Sequence, residues 1–156
     1  MSSQSPRHLD FERSIAFLVS ALANKLNSCA SRRLRRNLDI GLMEWRVIAL
    51  LGVEQATTPA RISQVAAVDK SVVSRAVNAL ERQALIRVSS DGGAGRQTRL
   101  ELTSKGRELH ERGMRQTVQA EELFLTGVTA EEQEILVALL KRLTANMQLL
   151  DADPSA

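Results

Sequence analysis

At 156 residues the chain has room for one domain, or for a small domain with helical extensions. A hydrophobic content of 44% is enough for a packed core, yet no stretch approaches the roughly 18 apolar residues of a membrane span. The net charge is only +3, and one cysteine with two distant histidines (Cys29, His8, His110) excludes an internal disulfide and leaves no thiolate–imidazole zinc set.

In chain order, the N-terminal residues are polar and lack the apolar core of a signal peptide, so a cytoplasmic protein with no cofactor, metal or membrane partner is expected. Residues 9–36 predict one long helix, because Phe11, Ile15, Leu18, Leu22, Leu26 and Cys29 recur every three or four positions. It ends in a basic run, Arg32, Arg33, Arg35 and Arg36, suited to a solvated helix end or to an anion. A second helix over 42–53 carries Met43, Val47, Ile48, Leu50 and Leu51, and residues 55–58 break the pattern. Thr58 and Pro59 open a third helix as cap and first helical residue, with Ile62, Val65 and Ala66 on its apolar face. Asp69 is placed to cap a fourth helix running to about Gln83.

Residues 86–89 and 98–102 alternate apolar with polar, as half-buried strands do. Between them Gly92, Gly93 and Gly95 mark a hairpin tip. Thr103 caps a fifth helix over about 104–126. Thr129 and Glu132 form a capping box for a sixth, which carries Ile135, Leu136, Leu139, Leu140, Leu143, Met147 and Leu150. The fold class expected is mainly α with a small β-hairpin wing. It is organised as a single domain over 1–156, in which 42–103 form a winged helix-turn-helix and 9–36 with 104–150 a helical dimerisation region.

The charge distribution points to a polyanion. Between Thr57 and Arg107 nine Lys/Arg face four acids, whereas from Gly113 onward three bases face seven acids. In the fourth helix Val73, Ala76, Val77 and Leu80 share one face, and Ser71, Ser74, Arg75 and Asn78 share the other. Arg bonds guanine bidentately, Asn suits adenine, and Ser approaches bases or phosphates closely, so the outward face matches major-groove chemistry. An ordinary solvated helix would carry Glu and Lys there. Two short helices, a turn and a following hairpin complete a helix-turn-helix with a wing.

Three segments resemble the multiple-antibiotic-resistance-regulator (MarR) family: LMEWRVIALL at 42–51, VDKSVVSRAVNAL at 68–80, and RQTRLELTSKGR at 96–107. The third is the most specific, with the wing Arg, the Leu–Thr strand end and the Lys–Gly helix start in register. The resemblance extends more loosely over 10–150. It implies a triangular helical dimer on double-stranded, pseudo-palindromic DNA. Ser71, Val72, Ser74, Arg75 and Asn78 would lie in the major groove, and Arg96 would reach the minor groove from the wing. The sequence departs from the family pattern at Ala94, where an acid usually orients the wing Arg, and at Ala67 and Ala84, where Gly is common. An L-residue in a left-handed conformation costs about 1 kcal/mol.

A helix of about 28 residues would span about 40 Å, more than a small wing domain needs, which favours a self-complementary helical interface between two subunits. The resemblance also implies a small aromatic carboxylate, phenolic or acyl-thioester effector that releases a repressor from DNA. Ser28, Trp45 and Arg46 are the residues placed to meet it, by hydrogen bond, ring stacking and carboxylate pairing. For these two residues the favoured reading is structural, Trp45 as core and Arg46 as an internal ion-pair partner. Cys29 falls in the apolar stripe, where a small buried thiol is ordinary; with no Tyr in the chain to activate it, redox sensing is the alternative. The chain does not read as an enzyme, having no phosphate-cradling glycine loop and no nucleophile–His pair. A helical interaction module without DNA binding is the other alternative, and it leaves the Ser/Ser/Arg/Asn face unexplained.

Overall fold

The computed structural model describes residues 10–90 and 98–152. Residues up to Arg115 make one compact unit and those from Gln116 a second, with the fifth helix passing from one into the other.

The first unit opens with a turn at 11–13 and helix α1 (Ile15–Leu38). The helix starts later than its apolar repeat suggests, because Ser14 is the cap: its Oγ accepts from Phe17 N at 3.4 Å. It also runs past the basic residues to Asp39, which closes it in a left-handed conformation (φ 56°). Arginine is a good helix former, so the charge run ends nothing. Helix α2 (Leu42–Glu54) begins at Gly41, whose N–H donates to the Glu44 carboxylate at 2.6 Å. Helix α3 (Pro59–Ala66) has the expected Thr58 cap, its Oγ1 accepting from Arg61 N at 3.2 Å. Helix α4 (Lys70–Arg82) follows after three residues, with Asp69 at the cap position but no side-chain cap bond.

Three strands form one antiparallel sheet in the order β1 (Ala56–Thr57), β3 (Thr98–Leu102), β2 (Ile86–Ser90). Within the hairpin Val88 faces Leu100 and Arg87 faces Glu101. Strand β1 was not foreseen; it pairs Ala56 with Glu101 and Thr57 with Leu100. Two residues are too few to show a period, and only β3 gives them a ladder partner. The core gathers Ile40, Val47, Ile48 and Leu51 with Ile62 of α3, Val73 and Leu80 of α4, Leu85, and Leu100 of β3. Leu34 and Leu38 bring the end of α1 into the same core.

Helix α5 (Ser104–Phe124) is fastened to this unit at its start. Thr103 Oγ1 accepts from Gly106 N at 3.0 Å and lies 2.8 Å from the Ala84 carbonyl, to which it donates. Lys105 Nζ donates to Gln83 O at 3.0 Å. Gly106 is buried against the chain, and a Cβ there would strike the Leu85 carbonyl oxygen. The Thr–Ser–Lys–Gly run therefore pins α5 to the α4–β2 corner.

The second unit holds the remainder of α5, a turn, and helix α6 (Ala130–Ala152). The capping box forms as expected: Thr129 N donates to Glu132 Oε2 at 2.8 Å, and Glu132 N to Thr129 Oγ1 at 3.2 Å. No described residue of α6 is buried; Ile135, Leu136, Leu139, Leu140, Leu143 and Met147 are all exposed in the single chain. No helix among the described residues is long and apolar enough to cross a membrane.

Candidate DNA-reading site

The α3–α4 corner is built by backbone geometry. Ala67 adopts a left-handed conformation (φ 50°), Val68 N donates to Ser63 O at 3.2 Å, and Ser63 Oγ donates to Val68 O at 2.6 Å. The turn is thus closed twice by one serine, which fixes where α4 begins. Ala84, between α4 and β2, is likewise left-handed (φ 55°), so both positions at which Ala stands for the usual Gly have the backbone that Gly favours.

Along α4 the two faces separate as the spacing requires. Val73 and Leu80 are fully buried, with Ala76 and Val77 nearly so, whereas Ser71, Ser74, Arg75 and Asn78 are exposed. Val72 is half-buried on the flank between them, on the side of α3. Beside it, an open cavity of about 580 Å³ lies between α3 and α4, lined by Ser63, Gln64, Ala67, Val68, Asp69 and Val72. Neither Arg75 nor Lys70 forms an ion pair within the described residues. The pairs that do form lie elsewhere: Arg61 with Glu54 at 3.1 Å, and Arg99 with Glu101 at 3.0 Å. Arg96, Ala94 and Asp91, singled out for the wing, lie outside the described residues.

Of the residues chosen for an effector, Trp45 is buried whereas Arg46 and Ser28 are not. Trp45 is 7% exposed and belongs to the core, its ring stacked on His110 at 6.3 Å between centroids and 23° between planes. Gly113 makes room for it, since a Cβ there would strike the indole. Arg46 Nη2 donates to Asn27 Oδ1 at 3.0 Å, tying α2 to α1, and Ser28 is exposed on α1. Cys29 is also exposed, not buried as its register suggested, because the apolar residues of α1 from Ile15 to Leu26 are themselves uncovered in one chain.

A cavity that the sequence did not indicate, about 410 Å³, lies between α2, β3 and α5. Leu51, Gly52, Gln55, Glu101, Leu102, Arg107, His110 and Glu111 line it. The Arg107 guanidinium is already engaged, Nη1 with Leu102 O at 2.9 Å and Nη2 with Ser104 Oγ at 3.3 Å. His110 Nε2 is buried with no protein partner, pressed towards Gly52, where any Cβ would collide with the imidazole. These residues come from three elements, so no local spacing announces them.

Two short helices joined by a serine-locked turn, a recognition helix with a polar outer face, and a three-stranded wing sheet together define a winged helix-turn-helix DNA-binding protein. Comparison with known proteins agrees. A model of the MarR family matches residues 38–97. The HTH-type transcriptional regulator YybA of Bacillus subtilis (strain 168) is 24% identical over 130 residues, 83% of this chain and 86% of YybA. A MarR/EmrR family transcriptional regulator from Acinetobacter sp. ADP1 superposes with a TM-score of 0.84 at 29% identity, over 90% of this chain and 99% of its own. Streptococcus pneumoniae FabT, solved in complex with DNA, gives a TM-score of 0.70 at 26% identity over 90% and 99%. Residues 38–97 thus match the MarR family, and the chain has the winged-helix fold of the DNA-binding transcriptional regulators it is similar to.

Proposed function

We propose that the protein works as a homodimeric, sequence-specific repressor of transcription that a small-molecule effector releases from its operator. The observation that carries this reading is the outer face of α4, where Ser71, Ser74, Arg75 and Asn78 are exposed together on a helix anchored by four buried residues. Arg75 and Asn78 read base edges, the serines approach bases and phosphates, and Arg96 reaches the adjacent minor groove. FabT, of the same fold, was solved on DNA, which supports the docking mode. The test is a mobility-shift titration against DNA upstream of the protein's own coding region. Binding to one duplex in excess of non-specific competitor is expected, and equal affinity for all duplexes would remove the specificity.

The dimer is supported by apolar surface left open in one chain. On α1, Ile15, Leu18, Leu22 and Leu26 are each at least 40% exposed, and α6 presents seven large apolar side chains from Ile135 to Met147. Covering such side chains is favourable by about 1 kcal/mol or more each, and a second copy of the same faces is their natural cover.

For the effector, the cavity between α2, β3 and α5 is the candidate site, because its 410 Å³ suits a small aromatic molecule. Glu101 and Glu111 line it and Arg107 is already engaged, so among aromatic carboxylates, acyl-thioesters and phenols the phenols fit its chemistry best. Trp45 stacks on His110, which lines the cavity, so the single indole reports occupancy. In a panel of phenols and benzoates, one compound is expected both to change Trp45 emission and to dissociate the DNA complex. An effector must bind the DNA-incompetent arrangement better than the competent one. A panel in which no compound does both overturns the effector reading.

A further inference from the structure

We propose that the cavity between α3 and α4 is a subsite for the C5-methyl group of a thymine, through which the protein reads one base pair of each half-site by apolar contact. The proposal rests on α4 lying in the major groove, and goes beyond it by assigning a base to residues that make no hydrogen-bonded readout.

Position comes first. The cavity opens beside the first turn of α4, and Val72 lines it from the flank next to Ser71 and Arg75. A base edge approached by those residues has its neighbour beside Val72. The lining chemistry then limits what can enter. Val68, Val72 and Ala67 supply apolar carbon, the Ser63 hydroxyl is occupied by the Val68 carbonyl at 2.6 Å, and the exposed Gln64 amide lines the cavity beside them. No Lys or Arg lines the cavity, and the exposed carboxylate of Asp69 does, so a phosphate is repelled rather than held. In the major groove of unmodified DNA the apolar group on offer is the thymine methyl.

Ala67 contributes its methyl to the cavity wall from a left-handed backbone (φ 50°).

The experiment uses the full-length protein and a duplex it selects from a random pool. Each thymine is replaced in turn by deoxyuridine, which removes the methyl and leaves base pairing and O4 intact, and affinity is read by fluorescence anisotropy. One thymine per half-site is expected to weaken binding about fourfold, the worth of one buried methyl, and 5-bromodeoxyuridine, of similar bulk, to restore it. In Val72→Ala the same replacement should have little effect. Should Val72→Ala fail to fold by circular dichroism, Ala67→Gly, which removes a lining methyl while relieving strain, should diminish the deoxyuridine effect instead. If no thymine responds, or the folded variant responds as strongly as the parent, the subsite is refuted alone. A chain that selects no duplex at all overturns specific DNA reading and this subsite with it.

Discussion

Arg75 and Ala84 show how differently two exposed residues of one corner are constrained. Arg75 has no ion-pair partner among the described residues and stands on the outer face of α4, so its guanidinium is available to a base. Arg75→Ala is expected to weaken cognate DNA by about 1–3 kcal/mol while sparing non-specific DNA. Equal loss on both, in parallel mobility-shift titrations, would reassign it to the phosphate backbone. Ala84 carries strain instead of chemistry, with φ at 55° between α4 and β2. Relieving a left-handed alanine gains about 1–2 kcal/mol, and the added freedom of glycine in the unfolded chain returns about 0.5–1. Ala84→Gly should therefore raise stability by about 0.5–1 kcal/mol in urea denaturation, and a lower midpoint would show that the methyl packs favourably.

Among the elements, the start of α5 is the joint on which the reading head depends. Gly106 admits the Leu85 carbonyl into close contact, and Thr103 bridges the α4–β2 corner to the α5 amide. The obstacle to a Cβ at Gly106 is backbone, which cannot swing aside as a side chain can. Gly106→Ala is expected to cost about 1–3 kcal/mol or more in urea unfolding, as overpacking does, and an unchanged midpoint would mean the corner has slack. The Lys–Gly pair at 105–106 had been legible only as a pattern. Its reason appears when the carbonyls of Gln83 and Leu85 are seen to face it, from 22 residues away for the Lys105 bond. Periodicity served the long elements well and the short one badly: α4 and the hairpin fell where alternation put them, whereas β1 is too short to have a period.

For the whole molecule the governing quantity is apolar surface that a single chain leaves uncovered, on α1 and along all of α6. A chain ending before Ala130 loses α6 and, on the dimer reading, the second half-site contact with it. Such a chain is expected to run as a monomer in light scattering and to protect no two-fold footprint. A truncated protein that still footprints a full two-fold site would refute the architecture.

By itself the sequence determined what depends on residues close in the chain. The two faces of α4, the Thr58 and Thr129 caps and the wing strands each follow from spacings of two to four residues. The left-handed backbone at Ala67 and Ala84 was implied by the family resemblance, in which Gly is common at both positions. Tertiary structure alone decided what depends on packing between elements. It put Trp45 into the core against His110 and Gly113, and gave Arg46 to Asn27. It left Cys29 exposed and opened a cavity between α2, β3 and α5. An apolar stripe states that a face must be covered but not by what. For that reason the same signal meant burial within the chain for Val73 and Leu80, and an open face for Ile15 and Leu140.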